Sequence, residues 1–351
     1  MGNSNSSAIA INLDRNNLFY FSGEYVSGKV DLNIIEGKLE ADEIYIALTG
    51  EIGYTTTRTV STDRGRTSTR TEYHHVPFYS AKAIFARREP GQQELVYGQG
   101  QYSWSFQIPL TDYLPPTINQ PQSYPHVRYY LQVVIDKPWY KPNTRETRYL
   151  TIFPRVNLLQ YPQCLLSTIF GNQNRKDITL KGTLNKLGYV LGESIYMTLE
   201  IENPRRVLIQ RIDLSMLQSY RIAQNSRGYT VFQTTLPNIL NFKDHQIRET
   251  FSIIIPSVPI PPSYQFQGGI QRFALVNISY MLRFAVKVEG IFTNFDVNIP
   301  ITLGTEPHPD LNQQQTFNPV IVSYFSKPEQ SMFSDDDLPP NYDSSVQQNN
   351  K

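Results

Sequence analysis

The residue types that most often carry catalysis or hold metal ions are sparse in this sequence. It has one cysteine, Cys164, and five histidines, which are His74, His75, His126, His245 and His308. No carboxylate or cysteine stands at a spacing from them that forms a metal-ligand motif. The sequence also has no G-x-S-x-G turn and no phosphate-binding glycine loop. We therefore predict a protein without enzymatic activity, cofactor or metal ion.

A proline motif near the C-terminus is the strongest binding signal, Leu338-Pro339-Pro340-Asn341-Tyr342. Consecutive prolines favour the extended polyproline II helix, which loses little entropy on binding. WW domains bind such PPxY segments with aromatic rings and hold the tyrosine in a pocket. We predict a WW-domain binding site formed by Leu338, Pro339, Pro340 and Tyr342.

A second copy of this motif, Pro261-Pro262-Ser263-Tyr264, lies between two predicted strands. Pro261, Pro262 and Tyr264 are therefore candidates for a second WW contact, which would raise avidity. Prolines in a loop between strands also have a structural explanation, and both interpretations stay open.

The N-terminal residues Met1-Gly2-Asn3-Ser4-Asn5-Ser6 fit the myristoylation pattern M-G-x-x-x-[ST]. We predict acylation of Gly2 after removal of Met1. One myristoyl chain gives only marginal, reversible membrane binding, so a second membrane contact is needed. A frayed polar leader is the alternative.

A threonine-rich stretch over residues 54–75 predicts a β-hairpin that turns near Asp63-Arg64-Gly65. Its arginines are candidate contacts for anionic lipid or a phosphorylated peptide. They are Arg58, Arg64, Arg66 and Arg70. The alternative is a solvated hairpin that uses its charges to prevent edge-to-edge aggregation.

The elements that must position these motifs are predicted to be strands. Apolar and polar residues alternate over 28–34, 129–135 and 279–286, which is typical of half-buried strands. No long stretch has helical periodicity, and turn-rich breaks separate the strands. The sequence therefore predicts an all-β fold of antiparallel sandwiches.

Chain length, net charge and cysteine count further limit the kinds of protein that this sequence can encode. A chain of 351 residues is long enough for two domains and a tail. The net charge of +1 argues against a dedicated nucleic-acid-binding protein. A single cysteine excludes a disulfide framework and fits a cytoplasmic protein, and no run approaches the roughly 18 apolar residues that span a bilayer.

An internal repeat indicates two domains of the same kind. Residues 22–26 recur as 191–195, and residues 106–109 recur as 251–256. We predict tandem β-sandwiches over 8–157 and 177–305, with a flexible leader at 1–7 and a linker at 158–176. Residues 306–351 are rich in Pro, Gln, Asn, Ser and Asp, a composition that predicts a disordered tail.

These segments resemble those of the arrestin superfamily, and within it the alpha-arrestins, or arrestin-domain-containing proteins. Residues 21–30 look like the family's opening strand pair, and 41–50 look like the strand after it. Residues 178–193 are similar to the start of its C domain, and 299–305 to its closing strand. The resemblance covers about residues 8–305 and implies two antiparallel β-sandwiches, N and C, joined by a short linker.

The resemblance also implies a function. Alpha-arrestins are cytoplasmic trafficking adaptors that recruit HECT-type ubiquitin ligases through PPxY motifs and WW domains. The implied partners are a WW-domain ubiquitin ligase and membrane-protein cargo, with reversible association with the plasma membrane or endosomes. The alternative is an arrestin-fold coat or sorting subunit that resembles the retromer component and needs no PPxY motif. An all-β enzyme is disfavoured because no acid–base or metal set is present.

Overall fold

The computed structural model describes residues 7–61, 67–89, 91, 95–119, 123–290 and 293–306. The N-terminal half of this part of the chain is built from strands. Their bounds are β1 Ser7–Leu13, β2 Phe19–Phe21, β3 Tyr25–Ile34, β4 Leu39–Ala41, β5 Glu43–Ser61, β6 Thr67–Arg87, β7 Leu95–Tyr97, β8 Gly100–Pro109, β9 His126–Asp136 and β10 Thr144–Phe153.

These strands form a sandwich. One sheet has the order β1-β3-β8, the facing sheet has the order β2-β10-β9-β5-β6, and β4 pairs with β7 at the edge. The inward positions of β3 and β9 alternate with outward polar ones, so Val30 and Leu131 are fully buried between the sheets. The alternation predicted over 28–34 and 129–135 is thereby confirmed.

The second half repeats this architecture. After 3₁₀ turns at Leu158–Gln160 and Pro162–Leu165, the remaining elements are strands. They are β11 Thr168–Gln173, β12 Thr179–Leu184, β13 Gly188–Val190, β14 Ser194–Glu202, β15 Ile209–Ile222, β16 Asn225–Thr235, β17 Gln246–Ile254, β18 Tyr264–Gly268, β19 Ala274–Val288 and β20 Phe295–Gly304.

The C sandwich has a sheet of order β11-β12-β14-β17 opposite one of order β13-β20-β19-β15-β16, with β18 also paired to β19. Phe170 and Phe284 stack between these sheets with ring centroids 4.9 Å apart. The prediction of two tandem β-sandwiches is confirmed. Pairing is antiparallel throughout these sheets except for β2 with β10 and β13 with β20, which run parallel.

The sequence repeat has a physical basis in one tight turn that each sandwich uses. Gly23 and Gly192 have φ values of +81° and +82°, a left-handed conformation that glycine adopts without strain. The residue after each, Glu24 or Glu193, accepts a hydrogen bond from the backbone N–H three residues earlier. The same turn thus leads from a short parallel strand into β3 and into β14.

The predicted linker is partly a strand. Within residues 158–176, β11 pairs with β12 along its whole length, so it belongs to the C sandwich. Sequence patterns did not reveal this strand because β11 has only six residues, including Gly171, which is too short for a clear period of two.

The sandwiches also contact one another. The Thr55 amide donates to the Asn225 side chain over 2.8 Å, and the Ile270 amide donates to the Pro77 carbonyl over 2.7 Å. The rings of Phe78 and Phe266 meet edge to face at 5.4 Å. The contact therefore includes polar and aromatic groups from β5 and β6 on one side and from β16 and the β18 region on the other.

Candidate functional site

The hairpin of β5 and β6 is the longest strand pair in the molecule. It runs from Glu43 opposite Arg87 to Ser61 opposite Thr67, with shifts of register between Ile44 and Tyr45 and between Gly50 and Glu51. The threonine-rich hairpin predicted from the sequence is therefore present, although its turn, with Arg64 and Arg66, lies outside the described residues.

Two of the arginines predicted as anion contacts are described in this hairpin, and they are direct cross-strand neighbours. Arg58 pairs with Arg70 in the strand register, and both are exposed. Like charges directly opposite one another in a sheet are unfavourable in isolation. An anion bound beside the pair would relieve that repulsion. The prediction that Arg58 and Arg70 bind an anion is therefore chemically reasonable, and it stays a prediction.

A polar cluster lies nearer the base of the same hairpin, where β5 runs between β9 and β6. Gly53 on β5 stands opposite His75 on β6 and His126 on β9. Glu51, two residues earlier and on the same face, stands opposite Arg128. Because Gly53 has no side chain, the flanking histidines can approach one another and Glu51 across the central strand.

The cluster converges on one carboxylate oxygen. Glu51 Oε1 lies 2.8 Å from His75 Nδ1, 2.7 Å from Arg128 Nη2 and 3.5 Å from His126 Nε2. Burial alone would raise the pKa of the Glu51 carboxyl, but the hydrogen bond with His75 and the charge of the Arg128 guanidinium outweigh it and lower the pKa.

Sequence spacing did not reveal this cluster. Its members come from three strands, and only the order β9-β5-β6 brings His126 of the distant strand β9 next to the hairpin residues Glu51 and His75. The expectation that the histidines form no metal-ligand set considered sequence spacing alone. In the fold, Glu51, His75 and His126 place three potential ligand atoms within 4.8 Å of one another. Gly53 inside a long strand was the available signal, since such a glycine marks close approach.

The internal PPxY segment is held by the C sandwich. Pro262 is buried, and the Pro261 carbonyl accepts a hydrogen bond from the Tyr280 hydroxyl. Tyr264 begins β18 and pairs with Ile278. Its ring lies 6.0 Å from that of Tyr113, and burial raises the pKa of its hydroxyl.

The remaining predicted sites fall outside the described part of the chain. They are Gly2 at the N-terminus and the tail motif of Leu338, Pro339, Pro340 and Tyr342. Their assignments stay predictions from the sequence.

An aromatic loop between β9 and β10 was not predicted as a site. Trp139 is 95% exposed and Tyr140 is 56% exposed. Lys137 and Lys141 flank this pair in the sequence. Lys141 forms an ion pair with Glu40 on strand β4. A large exposed aromatic next to lysines is typical of side chains that meet a membrane interface.

The fold and the repeated sandwich agree with comparisons to known families. The family model for the arrestin (or S-antigen) N-terminal domain matches residues 9–159, and that for the arrestin (or S-antigen) C-terminal domain matches residues 174–308. The chain belongs to the arrestin family.

Membership supports a general role. Arrestin-fold domains bind partners and cargo, so the chain has the architecture of a trafficking or adaptor protein. Within the described residues, no helix is long and apolar enough to cross a membrane.

Proposed function

We propose that this protein is an adaptor of the alpha-arrestin kind, which brings a WW-domain HECT-type ubiquitin ligase to membrane-protein cargo for ubiquitination and endocytic sorting. The observation that carries the proposal is the order of parts along the chain. Two arrestin domains are followed by a proline-rich tail with Leu338-Pro339-Pro340-Asn341-Tyr342.

The tail motif, rather than the internal copy, is the proposed ligase site. The Ser263 amide donates to the Leu303 carbonyl over 2.9 Å, and the Leu303 amide donates back to the Ser263 hydroxyl over the same distance. A WW domain needs an extended segment with a free tyrosine ring. Binding at Pro261, Pro262 and Tyr264 would break these bonds and withdraw Tyr264 from its packing, which makes that copy a poor ligand.

The proposed mechanism is proximity. The arrestin domains hold the cargo and the tail holds the ligase, so cargo lysines meet the ligase at a high effective concentration. This mechanism needs no catalytic residue of the chain itself.

Membrane attachment would assist the proposed adaptor by holding it near its membrane-protein cargo. Ser7 pairs with Ile34 at the end of the N sandwich where Lys38 and Lys141 both bind Glu40. Ile34 packs in one cluster with Ile135, near the end of β9 that leads into the exposed Trp139 loop, so Ser7 lies at the same end of the N sandwich as that loop. This placement supports a weak acyl anchor reinforced by an aromatic and basic second contact.

Affinity purification from native cells tests the proposal. The wild-type chain should recover WW-domain ligases, and a chain with Pro340→Ala and Tyr342→Ala should lose them while keeping cargo. Recovery of a stable, stoichiometric coat that does not depend on these residues would instead support the alternative of a sorting subunit similar to the retromer component.

A further inference from the structure

A buried nitrogen without a partner lies in the polar cluster at the base of the β5–β6 hairpin. His126 is fully buried, and its Nε2 makes no hydrogen bond. Its Nδ1 lies 3.0 Å from the Ser123 carbonyl oxygen. A carbonyl oxygen only accepts, so Nδ1 carries the proton and Nε2 of the neutral ring presents a lone pair. That lone pair is directed at the Glu51 carboxylate, 3.5 Å away.

Two facing lone pairs in a buried site repel one another, and such groups are normally satisfied. A cation between the His126 ring and the Glu51 carboxylate would turn this repulsion into attraction. His75 is arranged differently, because each of its ring nitrogens has a hydrogen-bond partner. His75 Nδ1 lies 2.8 Å from Glu51 Oε1, and its Nε2 lies 2.7 Å from the Tyr124 hydroxyl.

Both histidines therefore have an outer partner on the nitrogen that faces away from Glu51. The Ser123 carbonyl is the partner of His126, and the Tyr124 hydroxyl is the partner of His75. Metal-binding histidines almost always donate their second ring N–H to such a partner. His126 already does so through Nδ1, and His75 would do so through Nε2 once its Nδ1 gives up its proton to bind the metal.

The backbone of β5 preserves the space for this geometry. A Cβ atom at Gly53 would lie 2.3 Å from both Cε1 and Nε2 of His126. Any side chain at this position would displace the nitrogen that points at Glu51.

We propose that Glu51, His75 and His126 form a zinc-binding site, with Oε1 or Oε2 of the carboxylate, Nδ1 of His75 and Nε2 of His126 as ligands. Two imidazoles and one carboxylate suit Zn²⁺ better than the oxygen-loving Mg²⁺ or Ca²⁺. The three ligand atoms lie within 4.8 Å of one another. His75 is exposed, so its ring can turn to bring Nδ1 closer to the other two ligand atoms. A water molecule can fill the fourth coordination position of the zinc ion.

Arg128 is compatible with this site. It donates to Glu51 Oε1 over 2.7 Å, and a carboxylate has about four lone-pair positions, so one guanidinium contact leaves others for a cation. The positive charge of Arg128 weakens zinc binding by electrostatic repulsion, and it keeps Glu51 charged and oriented.

Zinc at this position would join β9, β5 and β6. Glu51 lies four residues before Thr55 on β5, and the Thr55 amide donates to the Asn225 side chain of the C sandwich. Binding should therefore stabilise the base of the hairpin together with the adjoining contact between the sandwiches.

Calorimetric titration of the full chain with ZnCl₂, after chelator treatment and desalting, tests this proposal. We expect saturable binding of one Zn²⁺ per chain and a higher melting temperature in its presence. His75→Ala and Glu51→Gln should each weaken binding more than about tenfold. Elemental analysis of the dialysed complex gives the stoichiometry independently.

His74→Ala is the matched control. His74 is the next residue along β6, but it stacks on Tyr54 with ring centroids 4.8 Å apart and lies on the other face of the sheet. It should bind zinc like the wild type. The proposal is overturned if no saturable binding occurs, if His75→Ala folds and binds zinc like the wild type, or if His74→Ala loses as much affinity as His75→Ala. The melting temperature without metal shows whether each variant is folded.

Discussion

Gly23 and Gly192 occupy equivalent positions in the two sandwiches, and the same constraint acts on both. Each has a positive φ, and a Cβ would approach Asp112 Oδ1 to 2.7 Å at Gly23 or Ser257 Oγ to 2.9 Å at Gly192. A left-handed conformation costs an L residue about 1–2 kcal/mol. We expect Gly23→Ala and Gly192→Ala each to lower the free energy of unfolding by about this amount in chemical denaturation.

Gly98→Ala is the control for this pair. A Cβ at Gly98 meets no atom within 4 Å, so that change should leave stability unaltered or slightly raised. Equal stability of all three variants would show that the repeated turn imposes no special backbone requirement.

At the scale of the element, β18 decides between the interpretations of the internal PPxY segment. Tyr264 pairs with β19, and its half-buried ring contacts Tyr113 from the N sandwich. We expect Tyr264→Ala to lower the free energy of unfolding by about 1–3 kcal/mol and to leave WW-domain affinity unchanged. Thermal melts and binding titrations measure both quantities.

Tyr196→Ala serves as a comparison, because this tyrosine on β14 is 54% exposed and should cost less stability. Loss of WW-domain binding in Tyr264→Ala at unchanged melting temperature would mean that the internal motif is the ligand.

The strands themselves were largely predictable, whereas their assembly was not. Alternation identified β3, β9 and β19 because each has one face in a core and is long enough to show the period. Strand β11 was not predicted, because its six residues are too few to show the alternation. The approach of His75 and His126 across Gly53 depends on β9 and β6 flanking β5, and this order is a property of the whole sheet that no local pattern contains.

At the scale of the molecule, Ser7 at the start of β1 and the Trp139 loop share one end of the N sandwich, because Ser7 pairs with Ile34 and Ile34 packs with Ile135 at the end of β9. This predicts cooperative membrane attachment. A single acyl chain binds only marginally, so a second contact should change binding measurably. We expect Trp139→Ala and Gly2→Ala each to reduce sedimentation of the natively processed protein with anionic vesicles severalfold. Intact mass should show acylated Gly2 in the wild type.

Phe273→Ala provides the control, because Phe273 is 78% exposed but belongs to the C sandwich. Unmodified or N-acetylated Gly2 in protein from native cells would refute the acyl anchor. Undiminished vesicle binding by Trp139→Ala would refute the contribution of the loop.

The adaptor function depends most directly on Tyr342, so the decisive measurement is the affinity of the full chain for an isolated WW domain of a HECT-type ligase. A central aromatic anchor of an interface is worth about 2 kcal/mol or more, which corresponds to a loss of roughly 30-fold in affinity. We predict this loss for Tyr342→Ala at an unchanged melting temperature, whereas Asn341→Ala, at the variable position of the motif, should bind like the wild type. Wild-type affinity in Tyr342→Ala would contradict the account and leave the sorting-subunit alternative as the better explanation.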